Sequence, residues 1–166
     1  MILDSGERRQ FYDADGNPMA VRDIQEGKGR CDLLPLDVVA TLLLGCGEPI
    51  EYIHNFTKSG NCKYLQCVLT QYALLCKWDI PTMLLEVSKH FEEGCKKYGE
   101  NNWQKGIPTH CYIDSAVRHY LKWLRGDTDE DHSRAFVWNI ICCIWTCIHK
   151  PELNDYAKEG ESNANI

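Results

Sequence analysis

The sequence predicts an all-α fold: a compact helical bundle of four to five helices with an irregular N-terminal arm. Three observations carry this prediction. Apolar residues recur at spacings of three and four through most of the chain, as one buried face of a helix requires. Proline, glycine and aspartate fall between those stretches, where helices start and stop. No alternating apolar-polar run of useful length competes with them. At 166 residues the chain suits one domain, residues 1–150, with a real core and a short polar tail.

Residues 1–30 are polar and glycine-containing, and Asp13 to Asn17 (DADGN) reads as a turn. A helix opened by Pro35 runs to about Leu44 and is closed by Gly45 and Gly47. Glu48 to Asn61 reads as a connection with at most a short helical turn. Leu65, Val68, Leu69, Tyr72, Leu75 and Cys76 then give a second helix. Asp79-Ile80-Pro81 starts a third, whose apolar stripe of Met83, Leu84, Val87, Phe91 and Cys95 ends at Tyr98 and Gly99. A fourth runs from about His110 to Leu124, stopped by Gly126, and a fifth from about Glu130 to Ile148, stopped by Pro151. Residues 151–166 read as a flexible C-terminal tail.

Composition narrows the function. A net charge of −6 repels polyanions, so a nucleic-acid partner is not expected. The chain has no apolar run of about 20 residues and no signal-peptide core at MILDSGERRQ, which predicts a soluble cytoplasmic protein with no membrane partner. The ten cysteines form no C-x-x-C pair and no zinc-finger quartet, and those near Cys142 read as small apolar residues of a buried helix. The broad apolar face from Phe136 to Ile148 predicts a homo-oligomer, a dimer or higher.

Chemistry concentrates between His90 and Trp138. Glu92 and Lys96 are four apart, as are Asp114 and Arg118, so each pair shares a helical face. His132, Ala135 and Asn139 continue a polar stripe inside an apolar run. Carboxylate, imidazole, amide and cation converging between helices is how bundles build metal and phosphate sites, although acid-base pairs at this spacing are also common on solvated faces. Upstream, the G-K-G-R run of Gly27 to Arg30 offers backbone amides and two cations to a phosphate. It lacks the spacing and the Ser/Thr of a Walker loop.

Taken in order, EGKGRCDLLP, EEGCKKYGENNWQKGIP, DSAVRHYLKWLRGDTDEDH and WN resemble the phage and prophage dATP/dGTP diphosphohydrolase family (MazZ-type). That family is allied to the all-α MazG-like NTP pyrophosphohydrolases. The resemblance covers about Val21 to Pro35 and Leu84 to Asn139. It implies a MazG-like bundle that hydrolyses a purine deoxynucleoside triphosphate to the monophosphate and pyrophosphate with Mg²⁺ or Mn²⁺. Two departures stand out. Residues 45–80 look like a helical insertion relative to shorter members, and the MazG signature of E-x-x-E followed by E-x-x-D is not cleanly present around Glu92 and Glu93.

An acidic protein binds a triphosphate only through metal ions and a few local cations. On this reading Glu92, Asp114 and Asp131 are the leading ligands or bases, with Glu93, Asp129 and His132 behind them, each alternatively a solvated charge or a helix cap. Lys28, Arg30, Lys96 and Arg118 are the candidate phosphate contacts, and Asn139 completes the substrate-binding set. His119 either relays a proton or packs. Asn102 and Trp103 either recognise and stack on the base or anchor their loop. Two rival functions stay open: an HD-type dNTP triphosphohydrolase, which needs an adjacent His-Asp pair and further histidines, and a helical interaction protein without activity.

Overall fold

In the computed structural model the described residues are 8–23 and 27–158. Residues 1–7 and 24–26 of the expected arm, and 159–166 of the expected tail, lie outside them. The fold is all-α. Among the described residues there are six α-helices: α1 (Leu36–Leu42), α2 (Glu48–Ser59), α3 (Lys63–Cys76), α4 (Ile80–Tyr98), α5 (Thr109–Arg125) and α6 (His132–His149). Two short strands, β1 (Arg8–Arg9) and β2 (Arg22–Asp23), pair antiparallel in the N-terminal arm. No helix among the described residues is long and apolar enough to cross a membrane.

Helix α2 replaces the expected connection. Ile50, Ile53 and Phe56 recur every three residues and are fully buried, so this stretch closes a narrow apolar stripe that few neighbours advertise. Pro49 sits in its first turn and Gly60 ends it in the left-handed conformation at φ 70°. Helix α4 begins where expected: the Asp79 carboxylate accepts a hydrogen bond from Thr82 N at 2.7 Å, an N-cap. Asp131 caps α6 in the same way, accepting from Arg134 N at 2.9 Å.

The core sits where α5 and α6 pack along each other, with α4 against α6 and the α2–α3 hairpin closing the remaining side. Tyr72, Ile113, Val117, Tyr120, Phe136 and Ile140 are fully buried there. All ten cysteines are free. Burial pushes the Cys142 and Cys143 thiols well up, which keeps them protonated and inert.

The described segments on either side of the bundle, 8–23 and 151–158, are tied down. The expected DADGN turn forms, with Asp13 Oδ1 accepting from Asn17 N at 2.8 Å, and Ala20 N reaches Gly106 O at 2.9 Å. Residues 151–158, expected to be flexible, instead dock. Pro151–Leu153 form a 3-10 turn, Asn154 is buried and donates to Gly60 O at 2.9 Å, and Tyr156 meets the Phe56 ring edge-on at 5.4 Å. A Cβ on Gly60 would lie 2.6 Å from Ala157 Cα, so the hairpin and this segment touch backbone to backbone.

Candidate functional site

The arm is stitched to α4 and α5 by polar groups that sequence spacing had grouped differently. Asn102 uses both ends of its amide on one residue: its Oδ1 accepts from Val21 N at 3.1 Å and its Nδ2 donates to Val21 O at 3.0 Å. The next residue, Arg22, donates to Cys111 O at 3.0 Å and to Ser115 Oγ. Asp23 accepts from Lys97 Nζ at 2.7 Å and from the Tyr98 hydroxyl at 2.9 Å. Partial burial would raise the Asp23 carboxyl, but the Lys97 and Tyr98 hydrogen bonds outweigh it and hold the group below its ordinary value.

Asp114 and Arg118 form a second anchor. Asp114 is buried, accepts from Cys31 N at 2.7 Å, and receives the Arg118 guanidinium at 2.6 Å. Arg118 also donates to Gly29 O at 2.7 Å. The pair therefore pins the G-K-G-R loop to α5. With that loop in place, Lys28, Cys31, Arg118, Leu121, Lys122 and Arg125 line a depression of about 470 Å³ with four cations on its walls.

Beside it lies a cluster centred on His132. Gly126 ends α5 in the left-handed conformation at φ 85°, and five residues later α6 begins under its Asp131 cap. In that non-helical connection consecutive acids are free to turn toward one point, which a helix forbids by rotating neighbours about 100° apart. His132 Nε2 lies 2.8 Å from Asp129 Oδ1, and its Nδ1 lies 3.0 Å from His119 Nδ1. Glu130 Oε1 is 3.7 Å from His119 Nδ1 and 3.8 Å from His132 Nδ1. Two donor sets share the histidine: His119, Glu130 and His132, and Asp127, Asp129 and His132, each with its ligand atoms within 4.8 Å of one another.

The protonation states suit a cation. Burial first, then the neighbouring His132, pushes His119 down to about 3, so its ring is neutral with a lone pair to offer. Hydrogen bonds from Lys122 and His132 hold Asp129 well below the usual carboxylate range. Lys122 joins the two regions, since it lines the cationic depression and lies 2.9 Å from Asp129 Oδ2. Arg125 does the same through Asp127, with Nε at 2.7 Å from Oδ1.

The other expected residues lie elsewhere. Glu92 pairs with Lys96 at 2.5 Å on an exposed face of α4, and Glu93, turned about 100° from it round the helix, is 3.9 Å from His90. Asp131 spends its carboxylate on the α6 cap and on Arg134 Nε at 3.2 Å, and Arg134 in turn reaches Glu86 at 2.7 Å. Arg30 lies in the loop at the depression and pairs with Asp32 at 2.5 Å. Trp103 is wedged edge-on between Phe91 at 5.5 Å and Trp145 at 5.1 Å. Asn139 donates to Ala135 O at 2.8 Å, and its buried Oδ1 meets no donor among the described residues.

Asp127, Glu130, Lys122 and Arg125 were not anticipated by the sequence. The signal that finds the acids is their density, four between Gly126 and His132. Lys122 and Arg125 look like ordinary surface charges until the loop folds back on them.

A family model described as dATP/dGTP diphosphohydrolase, N-terminal, matches residues 68–156. The matched stretch holds the whole His132 cluster and both connections around it, while the arm lies outside. No curated protein and no solved structure matches the chain.

Proposed function

Because the chain belongs to the dATP/dGTP diphosphohydrolase family, we propose that it hydrolyses dATP or dGTP between the α and β phosphates. The products are the deoxynucleoside monophosphate and pyrophosphate, and the reaction depends on Mn²⁺ or Mg²⁺. The observation that carries this reading is the adjacency of two kinds of group. Imidazoles and carboxylates converge on His132, and a four-cation depression shares Lys122 and Arg125 with them. A metal bound to a triphosphate presents both charges at once.

Asp127, Asp129 and His132 fit a divalent ion by their chemistry: two carboxylates held ionised and an imidazole nitrogen, their ligand atoms within 4.8 Å of one another, with the neutral His119 on the other side of the His132 ring. This mixed nitrogen and oxygen set suits Mn²⁺ better than Mg²⁺, which prefers oxygen and water. When bound, the ion supplies charge neutralisation on the phosphates and a more acidic water. Glu130, half exposed beside both imidazoles, accepts the proton of the attacking water. The water oxygen bonds to the α phosphorus as the bond to the bridging oxygen breaks, and pyrophosphate leaves with that oxygen. Lys28, Arg118, Lys122 and Arg125 face the phosphates. Oligomerisation belongs to the same proposal, since Leu42, Leu44 and Leu85 are left largely exposed.

Purified protein incubated with dATP or dGTP and Mn²⁺ should release monophosphate and pyrophosphate, and chelation should stop it. Tripolyphosphate as product would identify an HD-type reaction instead. No product from either nucleotide would end the enzymatic reading.

A further inference from the structure

Resting on that reading, we propose that Lys28, Lys122 and Arg125, with Arg118 behind them, form the seat of the leaving diphosphate. We further propose that this seat is closed by the acids that hold the metal, so that metal and pyrophosphate bind by exchanging partners. Arg118, Lys122 and Arg125 follow one another at spacings of four and three on α5, a track about 10 Å long. Lys28 faces it from the pinned loop across the same depression. A track of this length fits two linked phosphates better than one.

The cations already have partners, and those partners are the metal donors. Lys122 lies 2.9 Å from Asp129 Oδ2, and Arg125 Nε donates to Asp127 Oδ1 at 2.7 Å. Both Asp127 and Asp129 belong to the donor set on His132. Each pair has one open member and one more covered, Asp129 at 58% against Lys122 at 29% and Arg125 at 70% against Asp127 at 21%, and ion pairs partly open to water contribute modestly. Replacing Lys122–Asp129 and Arg125–Asp127 by metal–carboxylate and cation–phosphate contacts therefore forfeits little. Each new contact removes a competitor from the other. Metal raises the affinity for diphosphate, and diphosphate raises the affinity for metal by the same factor.

Inorganic pyrophosphate and Mn²⁺, each titrated calorimetrically into the full chain, test this without turnover. Arg125→Ala and Lys122→Ala should each weaken pyrophosphate binding by roughly tenfold. The distinguishing variant is Asp127→Asn. It frees Arg125, so metal-free pyrophosphate binding should tighten by about threefold while Mn²⁺ binding weakens. The two members of one ion pair thus give opposite signs. Arg125 is exposed enough for its variants to fold, and circular dichroism checks this.

If both cation variants bind pyrophosphate like the wild type, or if Asp127→Asn fails to tighten metal-free binding, the exchange is overturned. That holds even where dATP hydrolysis proceeds, so the functional reading survives separately. The expected opposite signs in a protein without hydrolysis would uphold the seat and sink only the reaction.

Discussion

Glu92–Lys96 and Asp114–Arg118 are the same motif in sequence, an acid four residues before a base, and they meet opposite fates in the fold. The first pair stands in solvent on α4, with side chains 65% and 72% exposed. The second is nearly closed off, at 5% and 11%, and it holds the G-K-G-R loop through Cys31 N and Gly29 O. Spacing establishes that two residues share a helical face. Whether that face meets water or another segment of chain depends on what packs over it, and here that is the arm, whose sequence gives no periodic hint of where it will lie.

The sharpest way to break the comparison is to remove one carboxylate charge from each pair. Asp114→Asn should cost about 3 kcal/mol of stability, the scale for a buried pair left with one unmatched charge. Glu92→Gln should leave the denaturation midpoint where it was. Equal effects in chemical denaturation would mean that burial does not distinguish them.

The second prediction moves from stability to chemistry. His132→Ala should reduce metal-dependent kcat/KM by about 100-fold, as loss of a metal-binding group commonly does, and should weaken Mn²⁺ binding in parallel. Glu92→Gln should turn over normally. A large loss of turnover in the Glu92 variant would return α4 to the active site.

Asn102→Ala tests the anchoring of the arm more gently. It removes two part-buried hydrogen bonds to Val21 and should cost about 1 to 2 kcal/mol, with faster hydrogen exchange at residues 20–23. If exchange there is unchanged while nucleotide affinity falls, the amide reads the base and is no clamp.

The smallest expected effect concerns an acid-base pair made across the chain, His110 with Asp155. The Asp155 hydrogen bond raises His110 from its ordinary 6.5 to about 10. The stability it adds is therefore complete below about pH 6.5 and lost as pH rises toward 10. The melting temperature of the wild type should exceed that of Asp155→Asn at low pH, and the gap should narrow through that window. A constant gap would show that the imidazole does not titrate with folding.

Much of the fold was legible because its stop signals are local. The Asp79 cap with Pro81, Gly126 and Pro151 each act within one turn of where they stand, and α4, α5 and α6 begin and end near them. Helix α2 was not legible, because its buried stripe is only Ile50, Ile53 and Phe56 among polar neighbours and its flanking glycines resemble those of a loop. At the site, His119, Asp129 and His132 could be singled out as residue types, and the Leu84 to Asn139 part of the family resemblance falls inside the family match over residues 68–156, while the Val21 to Pro35 part lies outside it. Their convergence was not visible. It is made by a five-residue connection with no period, and Lys122 and Arg125 join only through ion pairs to that connection.

The contact of Asn154 and Ala157 with Gly60 carries a consequence for biosynthesis. A ribosome makes the α2–α3 hairpin early, yet the segment that seats against its turn comes nearly a hundred positions later; the Asn154–Gly60 hydrogen bond spans 94 residues. The nascent hairpin therefore emerges with the Phe56 end of its apolar stripe uncovered. The latch at its turn closes only once the segment around Asn154 has left the exit tunnel.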